Sequence, residues 1–149
     1  MSHPHPPVAS AVQTAELLSA LNAELNSHSM GAVLHILQGA SLSMARLAAL
    51  SYLHRRGTAT ISELSEHLNL ALGSTSQAVD LLVQAGLAER REDARDRRHK
   101  QVSLTPAGAE IVAQVRQVRY DEAARRLAEL PPELVARLGE AIADVLDAL

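Results

Sequence analysis

The sequence predicts a mainly α-helical chain with one small β-hairpin, and three observations lead there. Among 149 residues there is no Phe or Trp and only two Tyr, although 47% are hydrophobic, so burial falls to Leu, Val, Ile and Ala, side chains that suit packed helices better than sheets. Apolar residues recur at three- and four-residue spacing along most of the chain. The exception lies between Gly86 and Thr105, where two short extended stretches flank a run of charge.

The elements follow in order. Pro4, Pro6 and Pro7, with His3 and His5, make residues 1–7 a disordered leader. Val12, Leu18, Leu21 and Leu25 then mark a helix to about Asn26, and Val33, Leu34 and Leu37 carry a second apolar patch to Gln38, with a bend near Ser27. Ser43 is an N-cap candidate for a helix bearing Leu47, Leu50, Tyr52 and Leu53, which Arg55, Arg56 and Gly57 close with a cationic last turn and a stop. Thr58 to Ile61 is short and β-prone. Leu64 and Leu68 mark a short helix ending around Asn69, and its Ser62 and Glu66 stand one residue too far apart for a capping box. Leu70 to Gly73 predicts a turn, and Ser74 to Ala85 a helix with Thr75, Ala78, Val79 and Leu82 on one face.

Gly86 ends that helix, Leu87 to Arg91 is extended, and Gln101 to Leu104 alternates polar and apolar. Thr105 and Pro106 read as N-cap and first helical residue, and Ile111, Val112, Val115 and Val118 form the stripe of the helix that follows. Pro131 and Pro132 end it and begin the last helix, which carries Leu134, Val135, Leu138, Ile142, Val145, Leu146 and Leu149. Those terminal stripes need a cover, which a small bundle within the chain or a second copy of it would each supply.

Charge narrows the reading. Residues Arg90 to Lys100, RREDARDRRHK, hold six of the 14 Lys and Arg but three of the 17 Asp and Glu, so this segment is +3 while the remainder is −6. An acidic chain that gathers cations in one place is charged to touch phosphate there and repel it elsewhere. Two short helices around a tight turn, the second with Ser74, Ser76, Gln77 and Asp80 outward, have the form of a helix-turn-helix. The hairpin beside them would be a wing tipped by Asp93, Arg95, Asp96, Arg97 and Arg98, with planar guanidinium groups suited to a narrow minor groove.

Specific runs then carry a resemblance. Leu42-Ser43 with Leu50 and Leu53, Ile61-Ser62-Glu63-Leu64, Ala78-Val79-Asp80-Leu81-Leu82, Gly86-Leu87 with Glu89-Arg90, Asp93-Ala94-Arg95-Asp96-Arg97-Arg98 and Leu104-Thr105-Pro106-Ala107-Gly108 resemble the MarR family of winged helix-turn-helix regulators over roughly residues 42 to 108. The resemblance implies a fold that is mainly α with a small β-hairpin, a winged helix-turn-helix flanked by N- and C-terminal dimerisation helices. It divides the chain into an N-terminal helical dimerisation region at 8–41, a DNA-binding domain at 42–104 and C-terminal dimerisation helices at 105–149. It also implies a homodimer that binds double-stranded DNA at a pseudo-palindromic operator, as a repressor released by a small phenolic or lipophilic effector; a cytoplasmic location is expected from the lack of a secretory leader or membrane-span signal in the sequence. The recognition-helix residues would be Ser74, Thr75, Ser76 and Gln77, and the wing residues Arg95, Asp96, Arg97 and Arg98, with Asp96 orienting Arg98. His35, Met44 and Arg46 would line the effector pocket.

This chain departs from the family at Gln77 and near Leu81, where many relatives are basic, which predicts weaker phosphate clamping by the recognition helix. That departure keeps open an alternative, a winged-helix module that meets protein and binds no operator. The absence of cysteine excludes disulfides, thiolate metal sites and a thiol-oxidation switch. His28, His35, His54, His67 and His99 lack the spacing of a metal site, no catalytic constellation or cofactor motif is evident, and no apolar run is long enough to span a membrane.

Overall fold

The computed structural model of the chain describes residues 10–92 and 100–149; the described residues fall in two compact units, one of 10–30 with 119–149 and one within 31–118. The described elements are α1 (Ala11–Asn26), α2 (Ser29–Gly39), α3 (Met44–Arg56), β1 (Thr58–Ala59), α4 (Ile61–Leu68), α5 (Leu72–Gln84), β2 (Ala88–Glu92), β3 (Lys100–Leu104), α6 (Pro106–Leu127) and α7 (Pro132–Ala148). The fold is mainly α with a small antiparallel sheet, as the composition predicts. The bend expected near Ser27 is a full break between α1 and α2.

The 31–118 unit holds a single core in which Val33, Leu37, Leu47, Leu50, Leu53, Leu64, Val79, Leu82, Val102, Val112 and Val115 are all buried. This unit is wider than the 42–104 segment. Val33 and Leu37 before it, and Val112 and Val115 after it, close the same core. Each fully buried leucine contributes about 1.5–3 kcal/mol relative to an exposed one. No single helix among the described residues is long and apolar enough to cross a membrane.

Local signals set the helix boundaries. Ser43 caps α3, its hydroxyl accepting from the Arg46 N–H at 3.3 Å, and Gly57 ends it at a φ of 83°. At α4 the capping box lies two residues ahead of Ser62, between Thr60 and Glu63. The Thr60 N–H donates to the Glu63 carboxylate at 2.7 Å, its hydroxyl does so at 3.0 Å, and the Glu63 N–H donates to that hydroxyl at 3.2 Å. The Thr60 N–H, then the Thr60 hydroxyl, hold the Glu63 carboxyl below its ordinary value, with Arg56 adding to the effect and burial opposing it. A lowered folded value stabilises the fold above the unfolded carboxyl's titration range, and the gain is lost as pH falls through the folded value. Thr60→Ala is therefore expected to lower stability by about 1 kcal/mol near neutral pH, with the deficit shrinking on acidification, as urea titrations at several pH values would read.

The expected two-stranded hairpin is a three-stranded sheet in the order β1-β3-β2. The stretch expected to be β-prone supplies the third strand, Thr58 pairing with Ser103 and Ala59 with Val102. Ala88 pairs with Leu104, Glu89 with Ser103, Arg90 with Val102 and Arg91 with Gln101. Facing pairs share a side of the sheet, so Ala88, Arg90, Val102 and Leu104 lie on one side and Glu89, Arg91, Gln101 and Ser103 on the other.

In the unit formed by residues 10–30 and 119–149, Arg126 is ion-paired with Glu24, and His28 Nδ1 stands 3.4 Å from Glu122. Neither α1 nor α7 has a buried residue. Val12, Leu17 and Leu18 on α1 and Val145 and Leu146 on α7 are all exposed.

Candidate nucleic-acid interface

The turn between α4 and α5 is tighter than the sequence predicts. Asn69 takes the left-handed conformation at φ 51°, ψ 45°, a geometry asparagine tolerates well, and caps α4. The Leu70 N–H donates to the Ser65 carbonyl at 3.1 Å, and the Ser65 hydroxyl donates to the Leu70 carbonyl at 2.6 Å. With both Leu70 groups satisfied, the chain enters α5 at Leu72, two residues earlier than the expected start at Ser74.

Of the four expected recognition residues, Ser74 and Gln77 are exposed and Ser76 is half-buried. Thr75 is a correction. It is fully buried, and its hydroxyl donates to the Ala71 carbonyl at 3.1 Å, so it serves the core and the helix start and offers nothing to an outside ligand. Its place on one face with Val79 and Leu82 follows from helical spacing, since positions four and seven residues on return to the same side.

Arg90 is the residue that sequence reasoning missed. It reaches from β2 to α5, where its Nη1 lies 2.7 Å from the Asp80 carboxylate and its Nη2 is 3.4 Å from the Ser76 hydroxyl and 3.5 Å from the Ser76 carbonyl. Arg91, next in sequence, lies on the other side of the sheet and pairs with Glu89 at 2.6 Å, and Glu89 also accepts from Ser103 at 3.3 Å. Strand alternation decides which arginine faces the helix. A signal was present in the sequence, because Asp80 was one of the outward residues and Arg90 opened the cationic run. The expected wing residues Arg95, Asp96, Arg97 and Arg98 lie outside the described residues.

Thr105 locks β3 into α6. Its hydroxyl donates to the Gly86 carbonyl at 2.6 Å and accepts from the Gly108 N–H at 3.1 Å, while its own N–H donates to the Leu87 carbonyl at 3.2 Å.

The expected effector residues are not gathered at one place. His35 lines an open groove of about 400 Å³ with Ile36, Gly39, Ala40, Ile111 and Gln114. Met44 and Arg46 are not part of its lining. Met44 opens α3 with its side chain exposed, and the Arg46 Nε turns back to the Ser43 hydroxyl at 3.3 Å. A second open hollow, of about 490 Å³, is lined by Tyr52, Arg56, Glu63, Glu66 and His67. Among the described residues no group of three or more His, Asp or Glu side chains could hold a metal ion.

A helix-turn-helix joined through Arg90 to a small antiparallel sheet directs comparison to winged-helix proteins, and a family model described as MarR family matches residues 33–99. Over that stretch, just under half of its length, the chain is similar to the MarR family. An uncharacterised helix-turn-helix-type transcriptional regulator of Bacillus subtilis, YsmB, is 32% identical over 80 residues, 54% of this chain. The match spans 55% of that relative's length. Among solved structures, Rv1404 of Mycobacterium tuberculosis has a TM-score of 0.76 at 23% identity, covering 97% of this chain and 98% of the other. A point mutant of Staphylococcus aureus MepR, solved bound to an oligodeoxyribonucleotide, has a TM-score of 0.63 at 18% identity, covering 91% and 96%. At these identities the solved structures establish the shared fold. The shared fold accounts for the helix-turn-helix and the small sheet, while the Arg90 clamp and the position of Thr75 are read from this chain's own geometry.

Proposed function

We propose that this protein is a homodimeric, cytoplasmic repressor that binds a pseudo-palindromic operator through α5 and the wing and is released by a small phenolic or lipophilic effector. The observation that carries the DNA-binding part is the outward side of α5, where Ser74 and Gln77 are exposed beside strands that lead into the chain's most cationic segment. A helix of this kind reads base edges in the major groove while arginines of a thin hairpin enter the minor groove. In this reading Arg95 and Arg98 make the minor-groove contact, Asp96 orients Arg98, and Arg97 meets phosphate. The MepR structure with an oligodeoxyribonucleotide supports DNA as the ligand.

The unburied apolar residues of α1 and α7 support the dimer, because two-fold association would cover them and space two copies of α5 about one DNA turn apart. The His35 groove supports a small effector that shifts the population toward a spacing that misfits the operator. The lack of any cation on the outward side of α5 favours the second reading, a winged-helix module that docks on protein.

A mobility shift on the DNA upstream of the protein's own gene separates the two. Binding should appear at low salt and weaken about a hundredfold between 50 and 200 mM salt, the change expected for about four neutralised phosphates. Absence of any shift at low salt, from a protein that sedimentation shows to be dimeric, would exclude operator binding.

A further inference from the structure

We infer that the outward side of α5 selects A·T pairs in the major groove, with the Gln77 amide on an adenine and the Leu81 side chain on a thymine methyl. This rests on the DNA-binding reading and specifies its ligand.

Three observations on α5 carry it. Of the thirteen residues from Leu72 to Gln84, Asp80 alone is charged, and Arg90 occupies its carboxylate at 2.7 Å. Neither a guanidinium nor an ammonium group of α5 is therefore available to guanine, whose major-groove edge offers two acceptors, N7 and O6, and is best met by Arg or Lys. Gln77 is exposed, and its side-chain amide bonds to no other described residue. A primary amide has a donor and an acceptor side by side, matching the N7 acceptor and N6 donor of adenine.

Leu81 is 41% exposed one helical turn further on, where apolar bulk has nothing to gain from water. The base that rewards it is thymine, through the 5-methyl group. Four residues of helix rise about 6 Å and successive base pairs are about 3.4 Å apart, so the two side chains address pairs about two steps apart when α5 lies along the groove. Ser74, exposed one turn before Gln77, has a hydroxyl that donates or accepts and adds little selectivity.

Selection of bound sequences from a random DNA pool tests this, followed by base analogues in the selected site. The selected half-site should contain an adenine and a thymine about two steps apart. Exchange of that adenine for 7-deazaadenine should weaken wild type about tenfold and leave the Gln77→Ala variant unaffected. Replacing the thymine by uracil, which lacks the methyl, should cost wild type about fourfold and the Leu81→Ala variant nothing. Gln77→Arg should move the preference from adenine to guanine. Both side chains are exposed, so circular dichroism should find the variants folded. Bound DNA whose base preference ignores both substitutions would overturn the A·T assignment and leave DNA binding standing, whereas a pool that yields no bound DNA at low salt would overturn both.

Discussion

Gly108→Ala is expected to destabilise the 31–118 unit by about 3–5 kcal/mol, the range of severe overpacking in a core that cannot relax. A Cβ at this position would stand 2.0 Å from the Leu87 carbonyl oxygen, 2.9 Å from its carbon and 3.2 Å from Leu104 Cδ2. That carbonyl has little freedom to move, because it accepts from the Thr105 N–H while the Thr105 hydroxyl ties Gly86 to the first turn of α6. The glycine is thus required by a close approach between the start of β2 and α6. Thermal unfolding should show the midpoint falling by about 12 °C or more, given about 4–8 °C per kcal/mol for a unit of this size. Gly139→Ala is the control. Gly139 lies inside α7 with nothing within 4 Å of the added atom, and alanine there should raise helix stability by about 0.5–1 kcal/mol. Equal, small effects at the two positions would show that α6 can move away from Leu87.

Under the proposed operator binding, Arg90→Ala is expected to weaken DNA affinity about 10- to 100-fold while lowering stability by about 1 kcal/mol or less. The pair it forms with Asp80 is partly exposed, with side-chain exposures of 29% and 47%, so the ion pair alone adds little to the fold. Its larger effect is on the helix that would face phosphate. Removing the arginine leaves a bare carboxylate on α5 and frees Ser76, so the helix would carry a net negative charge toward a polyanion. Asp80→Asn added to Arg90→Ala should recover most of the lost affinity, and a double-mutant cycle at one fixed salt concentration measures the recovery. No recovery would mean that Arg90 touches phosphate itself, and the clamp would lose its place in the account. Arg91→Ala, on the opposite side of the sheet, should leave the α5 charge unchanged.

Much of the fold was legible because its signals are local. Ser43, Gly57, Asn69, Gly86 and Pro132 mark helix ends through their own side chains or backbone preferences, and all of them stand at or within two residues of an observed end. The capping box at Thr60 and Glu63 was equally local but was sought two residues too late, at Ser62. The third strand was harder to see. Two residues, Thr58 and Ala59, become a strand only because β3 offers an edge more than forty positions later in the chain.

The candidate interface divides in the same way. Helical periodicity alone places Thr75 with Val79 and Leu82, yet a threonine among serines and a glutamine reads as polar surface until its hydroxyl is seen on the Ala71 carbonyl. Met44 and Arg46 lie near His35 in sequence but do not share its groove, because Ile111 and Gln114 from α6 form the other wall. Arg90 and Arg91 cannot be told apart by composition.

The sequence by itself determined the helical class, the order of the elements, the cationic segment and the absence of cations from α5, since each is a property of neighbouring residues and their spacing. Only the tertiary structure decided which arginine neutralises Asp80, why residue 108 must be glycine, and that the winged unit draws its core from residues beyond 42–104. Those are contacts between segments distant in the chain, set by strand register and by the space that packing leaves, and neither is written in any single stretch of sequence.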